Sequence, residues 1–305
     1  MLLKLGLNCN TFSASDNLEG VLKLANEFGI KYLEFWATNL EETPESINKF
    51  AFKGKDVKKA RQMITDHGLQ VCCVTFGCGL DRYFVNKPQL FADEFKRAID
   101  IAADLGAKVI NHYVDEIHPY PNINFDYLDQ YWLEPVKYAE KMGIVLALEN
   151  EAHDITQTPP KMLALIDHYQ SKSFQTNFDA TNYFQSSNEP YPYAYEILKD
   201  HIAYVHIKNG CRYDPAFCPD PQWLGGRMAR ENTDSYIYYL EAKSGAVNID
   251  GLLNRLHDDG YEGYCSLEPH TTRQRAIDTI KKEVAYLRAK PMFNEKYNFP
   301  TPRSG

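Results

Sequence analysis

Apolar residues along this chain gather into eight short runs, and between the runs apolar positions recur at three- and four-residue steps. The runs are Leu2–Leu7, Lys31–Trp36, Gln70–Thr75, Lys108–Tyr113, Ile144–Glu149, Gln175–Phe178, Ile202–Ile207 and Gly263–Leu267. Most are β-branched or aromatic and apolar on both parities, as strands of a parallel sheet buried on both faces must be. After the first, Leu18, Val21, Leu22, Ala25 and Phe28 keep helical spacing behind a cap at Ser15 or Asp16, and Gly29 ends that helix. Phe91, Phe95, Ala98, Ala102 and Leu105 lead to Gly106 in the same way, and Leu128, Trp132, Val136 and Ala139 lead to Gly143. Leu252, Leu253 and Leu256 precede Gly260, and Ile277, Ile280, Val284 and Leu287 form a last helix. Eight such alternations predict an α/β fold, a closed (β/α)8 TIM barrel in a single domain over residues 1–290, because an open doubly wound sheet rarely needs so many units.

Two stretches leave the pattern. Cys211–Asn248 separates the seventh strand from its helix with Pro, Gly, aromatic and charged residues, far beyond a usual connection, and is expected to form a lid or a subunit contact. Trp223, Tyr236, Tyr238 and Tyr239 are its apolar anchors. The tail, residues 291–305, carries three prolines and little periodicity and reads as a surface strap or a loose end.

Composition narrows the class of partner. The 305 residues are 44% hydrophobic and 24% charged, ordinary for a folded protein, and the net charge of -8 argues against nucleic acid or anionic membranes as partners. A small molecule fits better. The N-terminal apolar run is too short for a signal segment and no stretch is long enough to span a bilayer, so the cytoplasm is the expected location. Seven cysteines without regular spacing read as reduced thiols. Cys72 and Cys73, adjacent in an apolar strand where alternate side chains face opposite sides, are expected to be buried structural residues.

Active sites of such barrels lie at the C-terminal ends of the strands, so polar residues that end apolar runs there carry the chemistry. Each of the last four strands supplies one: Glu149 in IVLALEN, Asp179 in FQTNFD, His206 in IAYVHIKN and Glu268 in GYCSLEP. Taken singly, an acid at a strand end is usually a cap or a surface charge, and a histidine is usually structural. Together, three carboxylates on neighbouring strands repel one another unless a cation sits among them. Three oxygens and one nitrogen suit one divalent ion, Mn²⁺ first, with Mg²⁺, Co²⁺ or Zn²⁺ as alternatives.

With these motifs in view the chain resembles the xylose isomerase-like superfamily of sugar (phosphate) isomerases and epimerases, which includes tagatose 3-epimerase-type enzymes and inosose dehydratases. ALEN, NFDATN, VHIKN and SLEPH match that family's last four strand ends. The resemblance implies that Glu149, Asp179, His206 and Glu268 are metal ligands and that Glu149 and Glu268 also transfer protons. It also implies that Arg212 and Lys208 contact substrate. Two positions depart from the tagatose-type pattern: Asn182 stands where those epimerases place a histidine, and Ile155 where they place a second glutamate. His153, in ENEAH, is the candidate to replace a lost acid or base. His112, Tyr113, Glu34, Trp36, Asn8 and Asn10 are expected to line the pocket, from their places at strand ends.

The leading expectation is an isomerase or epimerase of a monosaccharide or related polyol, working by proton transfer through an enediolate, in a homo-oligomer. A lyase that removes water from a keto-sugar or inosose needs the same cation and base plus an acid such as His153. A DNA-cutting barrel of the same fold needs further histidine ligands and basic loops, against which the acidic balance speaks. A barrel kept only for binding has no use for four ligands. No GxxxxGK loop or basic cluster marks a phosphate site, so an unphosphorylated substrate is favoured.

Overall fold

The structure, a computed structural model, describes residues 2–294 apart from 14, 38–51, 53, 78–79, 81–83, 115–121, 215, 217–236 and 272. The strands are β1 Lys4–Asn8, β2 Tyr32–Trp36, β3 Gln70–Phe76, β4 Val109–His112, β5 Val145–Glu149, β6 Phe174–Asp179, β7 Ile202–Ile207, β8 Asn209–Arg212, β9 Ile237–Leu240 and β10 Tyr264–Leu267. Eight of them close a parallel barrel in the order β1-β10-β7-β6-β5-β4-β3-β2, and β8 pairs with β9 as a separate antiparallel ribbon. The helices are α1 Asn10–Ser13, α2 Leu18–Phe28, α3 Lys55–Asp66, α4 Pro88–Leu105, α5 Phe125–Met142, α6 Pro159–Tyr169, α7 Ala180–Gln185, α8 Tyr195–Leu198, α9 Ile249–Asp258 and α10 Arg273–Arg288. This is a single-domain TIM barrel, and every apolar run of the sequence overlaps one of its strands, with ends that differ by a residue or two.

Burial explains the layers. The outer faces of the strands and the inner faces of the helices make one core, in which Phe76, Phe91 and Phe95 meet at centroid distances of 4.6–5.5 Å. Aromatic pairs at such distances contribute roughly 1 kcal/mol each beyond the area they bury. Inside the barrel a smaller cluster, with Cys72, Cys73, Val109, Ala147 and Tyr204, fills the wall below the site. Both thiols belong to this cluster although neighbouring residues of a regular strand face opposite sides; the β2–β3 register shifts between Leu33 and Glu34.

Helix ends follow local chemistry. Gly29 and Gly106 close α2 and α4 with φ of 70° and 85°, a region that side-chain-bearing residues avoid. The N-terminal cap of α2 corrects the expected one: Asn17, not Ser15 or Asp16, accepts from Gly20 N at 2.9 Å. Asp16 is engaged instead by the Arg273 guanidinium, with Nε and Nη2 at 2.5 and 2.7 Å from its two oxygens. The stretch expected to be one long loop after the seventh strand holds the β8–β9 ribbon, while Trp223 and Tyr236 lie outside the described residues. The start of the C-terminal tail is tied down, since Met292 is buried and its carbonyl accepts from Leu3 N at 2.8 Å. No helix among the described residues is long and apolar enough to cross a membrane.

Candidate metal centre

Parallel register brings the polar strand ends together at one mouth of the barrel. Glu149 sits level with Asn177, and Asp179 level with His206, so the carboxylates of β5 and β6 and the imidazole of β7 share one rim. Glu268 follows the last residue of β10 and its N–H donates to Ile207 O at 3.1 Å, which places it beside His206. Each of Glu149, Asp179, His206 and Glu268 offers one ligand atom, and these atoms all lie within 4.8 Å of one another. Three of the four are at most 1% exposed; Glu268, whose side chain is 12% exposed, is the most open.

Neighbours fix each side chain. Glu149 Oε2 accepts from Asn111 Nδ2 at 2.8 Å, and its Oε1 lies 3.0 Å from His206 Nδ1 and 3.4 Å from Asn182 Nδ2. Asp179 divides its oxygens: Oδ1 caps α7 by accepting from Asn182 N at 2.9 Å, leaving Oδ2 to face the cluster. Lys208 Nζ is 2.8 Å from that Oδ2, an ion pair without hydrogen-bond alignment, so the buried oxygen has no hydrogen-bond partner among the described residues. His206 Nδ1 looks toward the carboxylates, 3.4 Å from Glu268 Oε2 and 3.9 Å from Asp179 Oδ2, while Nε2 looks the other way.

The charges set each other's protonation. Burial opposes charge on His206, but Glu149, Glu268 and Glu34 outweigh it and push its pKa well above the usual histidine value. Burial raises the Glu149 carboxyl, with His206 pulling against it. At Glu268 burial is overcome by Lys208, His206 and His270, which hold its carboxyl well below the ordinary range. Lys208 itself, 6% exposed, places Nζ 2.7 Å from Glu268 Oε2 and 2.8 Å from Asp179 Oδ2. An ammonium and an imidazolium thus balance carboxylates that outnumber them, and the donor set, with an Asp179 oxygen that is ion-paired but not hydrogen-bonded among the described residues, fits a divalent cation of the oxygen- and nitrogen-preferring kind.

Other expected site residues fall differently. Asn182 lies against Glu149, and Lys208 against Asp179 and Glu268. His153 is half-buried in the turn after β5. Glu34 does not line an open pocket: it is 0% exposed and bonded to Asn8, Thr75 and Tyr204 behind His206. His112 is on the wrong face of its strand, packed between sheet and helices against Phe95, Trp132 and Phe174, and Asn111 beside it faces the site. Arg212 Nη1 and Nη2 donate to Gln185 O and Phe184 O at 3.0 and 2.9 Å, at the C-terminus of α7. There it borders a separate cavity of about 370 Å³ with Ser187, Tyr191 and Asn248.

Two residues at the site were not singled out from sequence. His270, the last residue of SLEPH, has Nε2 3.2 Å from Glu268 Oε2 and its ring stacked on Tyr239 at 4.6 Å. Glu151, two residues past Glu149, is pushed well above the usual carboxyl range by burial and by Glu149. A Glu and a His inside motifs already quoted were the available signals. Trp36 and Tyr113, 6.1 Å apart, form an aromatic wall, and Asn111 ties Tyr113 to the centre with Nδ2 3.0 Å from its hydroxyl.

The chain belongs to the xylose isomerase-like TIM barrel family, whose sequence model matches residues 22–290. No curated protein matches it. A xylose isomerase-like barrel from Mycobacterium smegmatis, solved with magnesium, is 18% identical, with 97% of each chain covered and a TM-score of 0.70. The probable 3-DHS dehydratase AsbF of Bacillus anthracis is 17% identical over 93% of this chain and 98% of its own, with a TM-score of 0.69. A D-tagatose 3-epimerase-like protein is 19% identical over 96% and 99%, with a TM-score of 0.65. At such identities these likenesses speak to the fold.

Proposed function

We propose that this protein is a divalent-metal-dependent isomerase or epimerase of a monosaccharide or related polyol, with Glu149, Asp179, His206 and Glu268 as ligands. The observation that carries this reading is the convergence of the four ligand atoms within 4.8 Å at the C-terminal mouth of the barrel. Held by these four residues, a cation, Mn²⁺ by preference, would supply Lewis acidity to substrate oxygens and so make a neighbouring C–H more acidic. Glu149 and Glu268 do the proton work. Their strands are separated around the barrel by β6 and β7, so a substrate held between them presents different faces to the two carboxylates. Glu268, more open and held ionised by Lys208, His206 and His270, is the base. Glu149, whose carboxyl is raised by burial, returns the proton on the other face. Lys208 steadies the negative charge that develops on substrate oxygen, and Trp36 and Tyr113 pack against its C–H surface.

The test is a panel of ketoses, aldoses and inososes offered to metal-loaded protein in deuterated water. An isobaric product carrying solvent deuterium at the exchanged carbon supports the proposal. Loss of water instead would favour the second reading, a lyase, which the turn after β5 supports: Glu151, whose carboxyl is raised by burial and by Glu149, and His153 stand next to Glu149 in sequence as acids for a leaving hydroxyl.

A further inference from the structure

We infer that Glu34 is the positioning residue of the metal centre: its carboxylate accepts the Nε2–H of His206 and so aims the Nδ1 lone pair at the point shared by Glu149, Asp179 and Glu268. The inference rests on the reading of those four residues as metal ligands and adds a fifth residue that never touches the ion.

The geometry is specific. Glu34 stands on β2, across the barrel interior from β7, and is 0% exposed. Three neutral donors from three other strands converge on it: Asn8 Nδ2 at 3.0 Å and Thr75 Oγ1 at 2.7 Å from Oε1, and Tyr204 OH at 3.1 Å from Oε2. They set the plane of the carboxylate before any ligand arrives. His206 Nε2 then lies 3.0 and 3.2 Å from its two oxygens. A carboxylate only accepts, so the facing nitrogen must carry hydrogen. Without a cation Nδ1 also faces carboxylates, 3.0 Å from Glu149 Oε1 and 3.4 Å from Glu268 Oε2, and carries hydrogen too; a cation bound there would take the place of that proton, and the ring would keep the one that Glu34 holds on Nε2, with its lone pair on Nδ1. The other tautomer would set a lone pair against a carboxylate and an N–H against the cation. A buried carboxylate behind a ligating imidazole fixes the ring and raises its basicity, and losing such a partner commonly weakens metal affinity about 10- to 100-fold.

Full burial separates this role from substrate contact, and the four bonds to Glu34 mean that its removal disturbs more than one neighbour. The test therefore uses two variants of the full chain. Glu34→Gln keeps the volume and one acceptor but loses the charge; Thr75→Val removes one orienting donor and leaves His206 untouched. Metal-stripped protein is titrated with Zn²⁺ against a chromophoric chelator, and the His206 ring protons are followed by ¹⁵N-edited NMR in metal-free and Zn²⁺-loaded samples. The expected result for Glu34→Gln is a Kd raised about 10- to 100-fold, with the Nε2–H signal moved upfield and exchanging faster in both samples. Thr75→Val should move both readouts the same way by less. Unchanged Kd together with an unchanged ring proton, in either variant that folds, overturns the inference. If wild-type protein bound no Zn²⁺, the four-ligand reading would fail, and the ring proton of the metal-free samples would still decide whether Glu34 orients His206.

Discussion

Two histidines of this barrel are each 1% exposed and each lies at the C-terminal end of a strand, yet their surroundings are opposite. His206, on β7, points inward among carboxylates, which push its pKa well above the usual value against the effect of burial. His112, on β4, points outward into a box of Phe95, Trp132 and Phe174, where neither ring nitrogen has a hydrogen-bond partner among the described residues and burial pushes the pKa down to about 3. One step along a strand separates the two environments, because Asn111, the neighbour of His112, donates to Glu149. Residue type and strand end therefore do not make a site residue; the face of the strand does.

The sharpest way to break the contrast is to remove each ring in turn. His206→Asn and Glu268→Gln should lower turnover by a factor of about 100 or more, since one loses a ligand nitrogen and the other a base. His112→Phe should leave turnover within about twofold, there being no contact with the cluster to lose. Equal losses in His206→Asn and His112→Phe, measured on metal-loaded protein with the substrate found by screening, would mean that the outer box acts on the reaction too.

A second test reads stability rather than rate. The folded-state pKa of His112, about 3, is depressed below an unfolded value near 6.5, so the unfolded chain binds the extra proton first as pH falls. The stability that neutral His112 allows is complete above about pH 6.5 and is lost progressively toward pH 3. At pH 5 the loss is on the order of 2 kcal/mol. His112→Phe, which fits a box already aromatic, should lose about that much less stability than wild type between pH 7 and pH 5 in urea titrations. Parallel pH curves for the two proteins would show that His112 can protonate in place.

The barrel was legible because its signals are repeated: eight apolar runs and helices closed by glycine, with Gly29, Gly106 and Gly143 at positive φ where the sequence places them. Two helices gave weaker signals. The charged α3 buries only Val57, Ala60 and Ile64 among its apolar positions, and α6 starts on a pair of prolines. The four-residue cluster could be assembled because each member interrupts an apolar run at a strand end. Its surroundings were legible only in part: Asn182, Lys208, Glu34 and Asn8 stand beside strand ends and do touch the cluster, but the parity of β4 and the bonds of Glu34 depend on register between strands distant in sequence. A strand of four residues such as β4 alternates too briefly for its faces to be told apart.

A smaller effect is expected at the rim, where the inner and outer faces meet. Gly77 follows β3, and a Cβ built there would fall 2.3 Å from the Trp36 ring, a rigid group that can yield only by turning as a whole. Gly77→Ala should therefore push Trp36 out of the wall it forms with Tyr113, raising KM about tenfold, or 1.4 kcal/mol, with kcat and Zn²⁺ affinity near wild type. An unchanged KM with a shifted tryptophan emission would remove Trp36 from the binding surface.

The smallest expected effect concerns Arg212, another strand-end residue whose direction decides its role. Its guanidinium donates to the carbonyls of Phe184 and Gln185 and to Ser187 Oγ at 2.8 Å, and lies 5.1 Å from the centre of the Phe184 ring. Those carbonyls belong to the last turn of α7, where a helix has unsatisfied acceptors and favours a cation. Because Asp179 caps the other end of α7, Arg212 helps hold the element on which a ligand sits. Lysine keeps the charge but not the planar fork that reaches both carbonyls at once. Arg212→Lys should thus cost about 1 kcal/mol of stability, as for a lost hydrogen bond, and change kcat/KM by no more than about threefold. If thermal unfolding were unaltered while kcat/KM fell about 30-fold, some 2 kcal/mol, the arginine would be a substrate contact, as the family resemblance implies, and the helix-end contact would not be its working state.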